Sequence, residues 1–474
     1  MRNSFKIVCS LLFISLQVSA QTASNKYSLK QCVDNAITNN LQVKQSDLQM
    51  QTSYINKKQA ISNVFPYLVG SFDQGINQGR SIDPFTNTYI NQQVNYSNYN
   101  LSAGITLFNG LRLQNNIREN VLAYEAGKME LQQTKEAITL HVILAYLQVL
   151  NNEDLVVQAR NQQNVSRQQV ERLTKLDSAG AVSPSQYHDV KGQWSADKLL
   201  VVDNENALSN AKLALAQLMN VPYGRNMQVE RLSAEEFIAA DTSNADEIYN
   251  TASQLSIIKA VDLRQRSAEK KVAATRGQYF PRVSLTGNLT TNYSSAATKD
   301  IALNSFQSPT GDFVTLNGTD YPVIKVSTNY QTEKIDYNSQ FKNNYNTSIN
   351  LNVRIPIFNS LQNRHAVALS KIELKNSEYI SENTRNQLRQ SIEQAHQNMQ
   401  AAYKRYQTLT EQVKDFEDSY RAAEIKFNAG ATNSVDYLIA KNNVDRAKSN
   451  LIIARYDFVL RSKILDYYRG KLSL

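Results

Sequence analysis

Two hydrophobic periods alternate along this chain. Leu388, Ile392, Ala395, Met399, Ala402, Tyr406, Leu409, Val413, Phe416, Tyr420, Ala423 and Phe427 step by four and three without a miss. A repeat of that period predicts a helix with a coiled-coil seam and a left-handed supercoil. Tyr437, Ala440, Val444, Ala447, Leu451, Ala454 and Phe458 form an answering seam. In the N-terminal half, Ile138, Val142, Ala145, Val149, Asn152, Val156 and Ala159 fall at matching positions, and polar Gln163 and Ser166 weaken that seam further on. The eight prolines (66, 84, 184, 222, 281, 309, 322 and 356) leave 111–183, 185–221, 223–280 and 357–474 uninterrupted. An interior proline would cost a helix ~3 kcal/mol or more. A helix over 111–178 would run ~100 Å at ~1.5 Å per residue.

Between the helices the period changes to two. Tyr99, Leu101, Ala103, Ile105 and Leu107 alternate with polar or small residues, as do Tyr345, Thr347, Ile349, Leu351, Val353, Ile355 and Ile357. Val283, Leu285 and Leu289 give a third pattern, and Leu68, Phe72 and Ile76 a weaker fourth. Each reads as a strand with one apolar and one polar face, of the length used in outer-membrane barrel walls. The polar segments 75–98 and 294–342 read as exposed loops.

Short motifs recur at long range. "VFPYLVGSF" from Val64 matches "YFPRVSLTG" from Tyr279, with Pro66 and Pro281 offset by 215 residues; "TLFNG" from Thr106 matches "PIFNS" from Pro356, offset by 250. The second copy therefore carries an insertion of about 35 residues between strands, and the chain reads as a duplicated unit, 21–240 and 241–474, with β-hairpins at about 66–108 and 281–357. The turns "KLDSAGAVSPSQY" (Lys175 to Tyr187) and "KFNAGATNSVDYL" (Lys426 to Leu438) keep the 250 offset. Gly180 and Gly430 suit the left-handed residue that closes a helix, Ser183 and Asn433 suit N-caps, Pro184 the first helical position, and Gln186 or Asp436 a capping box. Each turn reverses one long helix into the next.

Four strands cannot close a barrel, and open edges in lipid leave backbone groups unpaired at several kcal/mol each. The chain must pool strands with copies of itself. Three copies would supply twelve, a number the residues alone do not fix.

Residues 1–20, with Arg2 and Lys6 before an apolar run and Val18-Ser19-Ala20 before Gln21, read as a secretory signal peptide. The apolar run is too short for a membrane helix, and no other stretch approaches ~18 apolar residues. Cys9 falls in that segment and Cys32 stands alone, so no intramolecular disulfide follows processing. The net charge of +9 is spread thinly, without the basic stripe that nucleic-acid binding requires.

The helix–Phe-Pro–strand junctions, "LFNG" and "PIFNS" where strand returns to helix, and the paired Ala-Gly turns together resemble the TolC family of outer-membrane efflux proteins, over essentially the whole mature chain. Thr106 stands where the second copy has Pro356, and Leu111 and Ser360 replace glycines common at these junctions. The resemblance implies a mixed α and β membrane protein. It would be a homotrimer with a twelve-stranded barrel among outer-membrane lipids and a helical tunnel through the periplasm. Its hairpin ends would meet a periplasmic membrane-fusion (adaptor) protein serving an inner-membrane pump. It also implies a passive conduit opened by its partners, with specificity residing in the inner-membrane pump, whether the cargo is drug, metal ion or secreted protein.

Two residue sets follow. The small residues at the tips, Ala179, Gly180, Ala181, Val182 and Ser183 with Ala429, Gly430, Ala431, Thr432, Asn433 and Ser434, allow close approach by an adaptor hairpin, or merely make the turn. Asp415 and Asp418, spaced i, i+3, would recur in a symmetric oligomer as acidic rings at the periplasmic mouth, as in some family members. A solvated outer face is equally open for them, with Arg421 or Lys414 as neutralising neighbours.

No catalytic constellation is visible: His141, His188, His365 and His396 lie far apart, and the sequence holds no nucleophile elbow, phosphate loop or Cys-x-x-Cys. Glu393 and His396 make a single E-x-x-H pair, where a di-iron site needs two. Trp194 reads as packing or interfacial. No enzyme, cofactor or metal is expected. The alternative to a duct is a periplasmic coiled-coil scaffold or adhesin without transport.

Overall fold

The computed structural model describes residues 26–82, 87–178, 181–224, 226–231 and 244–471. The signal segment, Pro84, Ala179 and Gly180 lie outside them. The first stretch carries β1 (Lys26–Tyr27), α1 (Leu29–Asn39), α2 (Leu41–Ser62), β2 (Tyr67–Asn77), β3 (Arg80–Ile82), β4 (Tyr89–Asn91), β5 (Val94–Phe108), α3 (Arg112–Ser178) and α4 (Pro184–Met219). The remainder carries β6 (Gln228–Val229), α5 (Ala245–Ala252), α6 (Ser256–Arg276), β7 (Arg282–Ser294), β8 (Thr298–Leu316), β9 (Thr319–Lys334), α7 (Tyr337–Asn343), β10 (Asn346–Arg354), α8 (Gln362–Asn428) and α9 (Ser434–Tyr468). Among the described residues no helix is long and apolar enough to cross a membrane. The described residues divide into two compact units.

One unit, residues 26–52, 125–263 and 379–471, is almost wholly helical. Ser28 opens α1 with a reciprocal capping box to Gln31. Cys32, Val33 and Ala36 of α1 join Ile138, Val142, Tyr146 and Val149 of α3, Leu215 and Met219 of α4, and Val459 of α9 in one core. The α8 seam is inward as its period requires. Leu388, Ile392, Met399, Ala402, Val413 and Phe427 are buried, and Ala395, Tyr406, Leu409, Phe416, Tyr420 and Ala423 are half-buried. The seam of α9 behaves likewise. The α3 seam differs from expectation. Ser166 is fully covered and Gln162, not Gln163, joins it in the interior. The polar end of that seam is a built interior, because it has partners described below.

The other unit, residues 53–124 and 264–378, holds a four-stranded antiparallel sheet in the order β10-β7-β5-β2. Its alternation predicted the strands, but β10 stops at Arg354, short of the expected Ile355 and Ile357. Pro356 offers no N–H to extend the ladder. The segment read as a long loop, 294–342, is largely regular structure: β8 and β9 pair as a long antiparallel ribbon, followed by α7. Its turn is Asn317-Gly318, both at positive φ (54° and 79°), as a two-residue type I′ hairpin demands.

Each long helix after the sheet begins with two consecutive left-handed residues, Gly110-Leu111 and Ser360-Leu361. Leu111, Ser360 and Leu361 hold that conformation without glycine's freedom, which costs ~1–2 kcal/mol per residue. Gly110 has no such substitute. A Cβ there would lie 2.4 Å from the Gly277 carbonyl oxygen.

Candidate functional site

The sheet is the first candidate surface, and its register sorts its residues cleanly. Cross-strand rows place Leu68, Ala103, Gly287 and Ile349 together, and Ile105, Leu285 and Leu351 together. Tyr99 stacks on Phe72 of the same face, ring centroids 4.7 Å apart. The opposite face carries the rows Ser71–Asn100–Thr290–Asn346 and Thr106–Ser284–Asn352, with Val69 joining Ser102, Asn288 and Ser348. Most of the apolar face lies bare, with Leu68, Ile349 and Leu351 69, 76 and 63 % exposed. Its Tyr99 end is covered by α7, where Phe341 packs edge-on at 5.3 Å and its carbonyl accepts the Thr291 hydroxyl at 2.8 Å. Strands β2 and β10 are the free edges. Among the described residues nothing covers the rest of that face or pairs with those edges.

The hairpin ends are the second. Gly430 closes α8 at φ +73°, and the Ala431 N–H reaches back to the Lys426 carbonyl at 2.8 Å. The Asn433 side chain accepts from the Asp436 N–H at 2.9 Å as an N-cap. Asp436 does not complete a capping box; its carboxylate accepts the Thr432 hydroxyl at 2.9 Å. At the other end Ala181 N–H bonds the Leu176 carbonyl at 2.9 Å and Pro184 sits at the first helical position, but the Ser183 side chain makes no cap bond. Of the expected contact residues, Ala181, Ser183, Ala429, Gly430, Ala431 and Asn433 are exposed and Val182 and Thr432 half-exposed. Ala179 and Gly180 lie outside the described residues. Ser434 is turned inward, its hydroxyl donating to Asp189 of α4 at 2.9 Å. Beneath the ends, Val170, Leu173, Val190, Phe427 and Tyr437 form a core shared by both hairpins. Arg172 donates to the Asn428 carbonyl at 2.5 Å. Trp194 packs against this core with Lys198 over its ring, so packing describes it.

Farther along the same helices lie charges that periodicity did not flag. Lys441 is 2 % exposed and pairs with Asp197 of α4 at 2.9 Å and Asp445 at 2.6 Å. Asp197 also accepts from Gln193 at 2.8 Å and from the Ser166 hydroxyl. Burial holds the Asp445 carboxyl above the usual range, with Lys441 pulling it back. A second buried carboxylate, Asp154, takes Arg455 at 2.6 Å, the Tyr456 hydroxyl at 2.9 Å, and Arg231. The visible signal was Lys441 and Asp445 at i, i+4 beside the seam; their burial depends on where α4 places Asp197.

Asp415 and Asp418 are exposed on the side of α8 away from its seam, and Arg421 lies 3.6 Å from Asp418, as one of the two expected neighbours. Glu393 accepts from Arg389 at 3.3 Å, and among the described residues no three His, Cys, Asp or Glu side chains converge as a metal site. The buried Cys32 thiol is pushed up to about 12 by burial.

A profile of the family described as Outer membrane efflux protein matches residues 32–221 and again 249–468. The chain is 22 % identical over 345 residues to the outer membrane protein TolC of Vibrio cholerae, covering 72 % of this chain and 69 % of that one. It is 20 % identical over 347 residues to TolC of Escherichia coli, covering 72 % of this chain and 63 % of the relative. In fold it is similar to the CmeC outer membrane channel of Campylobacter jejuni, with TM-score 0.75 and 15 % identity, over 94 % of this chain and 86 % of that one.

Proposed function

The chain belongs to the outer membrane efflux protein family, and from that premise we propose that three copies assemble into an outer-membrane exit duct for solutes. Each copy contributes four strands to a twelve-stranded barrel, and the helical part stands in the periplasm. The carrying observation is the sheet, with one largely bare apolar face, one Asn/Ser/Thr face and two open edges. Lipid satisfies the first, a water-filled lumen the second and neighbouring copies the third. Purified protein should form trimers in detergent and conducting steps in planar bilayers. A folded monomer in detergent-free buffer without conductance overturns the proposal and leaves the scaffold reading.

The recurring element order and the twice-matched family profile support a duplicated unit, 21–240 and 241–474. The exposed tip residues are the proposed adaptor contact, with an inner-membrane pump beyond it. Gly430→Trp should lower efflux while trimers persist; unchanged efflux removes the contact. Asp415 and Asp418 are the proposed acidic ring. Unchanged cation selectivity in an Asp415→Asn/Asp418→Asn variant removes that role. Opening is a population shift among packings of the hairpin ends, biased by the adaptor.

A further inference from the structure

At the helix-side margin of the sheet, two adjoining cavities of about 500 and 350 Å³ share Asn109, Arg112, Gln278 and Arg282. The smaller adds Arg354 and Asn363, and no carboxylate lines it. Its walls are fixed by the close approach of Gly110 to Gly277, which admits no side chain at either position without collision. Asn363 donates to the Gln278 carbonyl at 2.9 Å, holding α8 against the same turn.

Arg282 and Arg354 are direct cross-strand partners. Like charges placed opposite one another destabilise a sheet, and Arg112 adds a third to the same cavity. Among the described residues none of the three is paired with a carboxylate, and Arg282 has only the Thr106 hydroxyl at 3.4 Å. Three guanidinia and several amides around a carboxylate-free hollow have one complementary ligand class. Guanidinium forks match the planar oxygens of phosphate, sulfate and carboxylate groups.

We propose that Arg112, Arg282 and Arg354 form an oxyanion-binding belt, and that solutes using the duct include organic or inorganic anions that pause there. Arg282 and Arg354 share the polar face with Thr106, Ser284 and Asn352, opposite the apolar face. A soluble anion in the lumen is therefore the occupant, not a lipid headgroup. The inference rests on the duct reading for its access route.

The test uses full-length trimers, inorganic pyrophosphate, and an Arg282→Gln/Arg354→Gln variant. Pyrophosphate on one side of a planar bilayer should reduce wild-type current, and the variant should need at least about tenfold more for the same block while its unblocked conductance persists. Equal block in both overturns the belt. Calorimetric titration of detergent-solubilised protein separates the two readings. If no channels form, the duct fails, and pyrophosphate binding that the variant loses still supports the site. Wild-type protein without a binding signal overturns it, whether or not the variant folds.

Discussion

The helical unit and the sheet treat their difficult residues in opposite ways. Beneath the hairpin ends, the buried charge of Lys441 meets Asp197 and Asp445 inside one chain, and Phe427, Tyr437 and Val190 close over one another. In the sheet, Ile349 and Leu351 face outward with nothing over them, and β2 and β10 end in unpaired edges. The first region is finished by its own side chains. The second is left open by its own side chains, and in the proposed duct lipid and further copies complete it. Substitutions in the first should therefore be read as folding effects and in the second as assembly effects.

The largest expected effect breaks the self-contained region. Lys441→Met leaves two carboxylates buried without their cation and should cost about 3–5 kcal/mol in denaturant unfolding of the detergent-solubilised protein. Its pH dependence has a definite sign. Asp445 is already held above the usual range, burial being the main cause and Lys441 the main opposing one. Without Lys441 the folded form binds the proton still more tightly than the unfolded form. Stability of the variant is therefore retained at low pH and lost as pH rises through the raised range. A cost that does not shrink on acidification from pH 7 towards 5 contradicts the buried network.

Next, Leu351→Arg on the exposed apolar face, which the duct reading turns to lipid, should cost about 1–4 kcal/mol and reduce the yield of heat-stable trimer in vesicles. Asn350→Arg, one residue away on the polar face, should leave trimer yield near wild type. Equal effects would erase the distinction between the faces. The smallest effect compares the two hairpin ends. Asn433→Ala removes a cap bond and should cost about 1 kcal/mol, read as faster amide exchange over 434–438. Ser183→Ala removes no cap bond and should change exchange by less than about 0.5 kcal/mol.

The helices were legible because a 3.5-residue period continued for twelve positions leaves one face to bury, whatever it meets. The four strands were legible from a period of two, and the tip geometry at Gly430 and Asn433 from their residue types. The β8–β9 ribbon was hidden by its polar composition, although Asn317-Gly318 is a strong local hairpin signal. Ser434 was read as surface because its neighbours in sequence are; Asp189, 245 residues earlier, draws it inward.

By itself, then, the sequence determined the periods and the turns, since these depend on residues near in the chain, and the arithmetic of strand edges is what carries the proposal of sibling copies. Only the tertiary structure decided that Lys441 is buried, that Asp197 and Ser166 meet it, and that Arg112, Arg282 and Arg354 crowd one cavity. The reason is physical. Periodicity fixes which way a side chain points from its own helix or strand, while charge pairing depends on which distant element arrives opposite it.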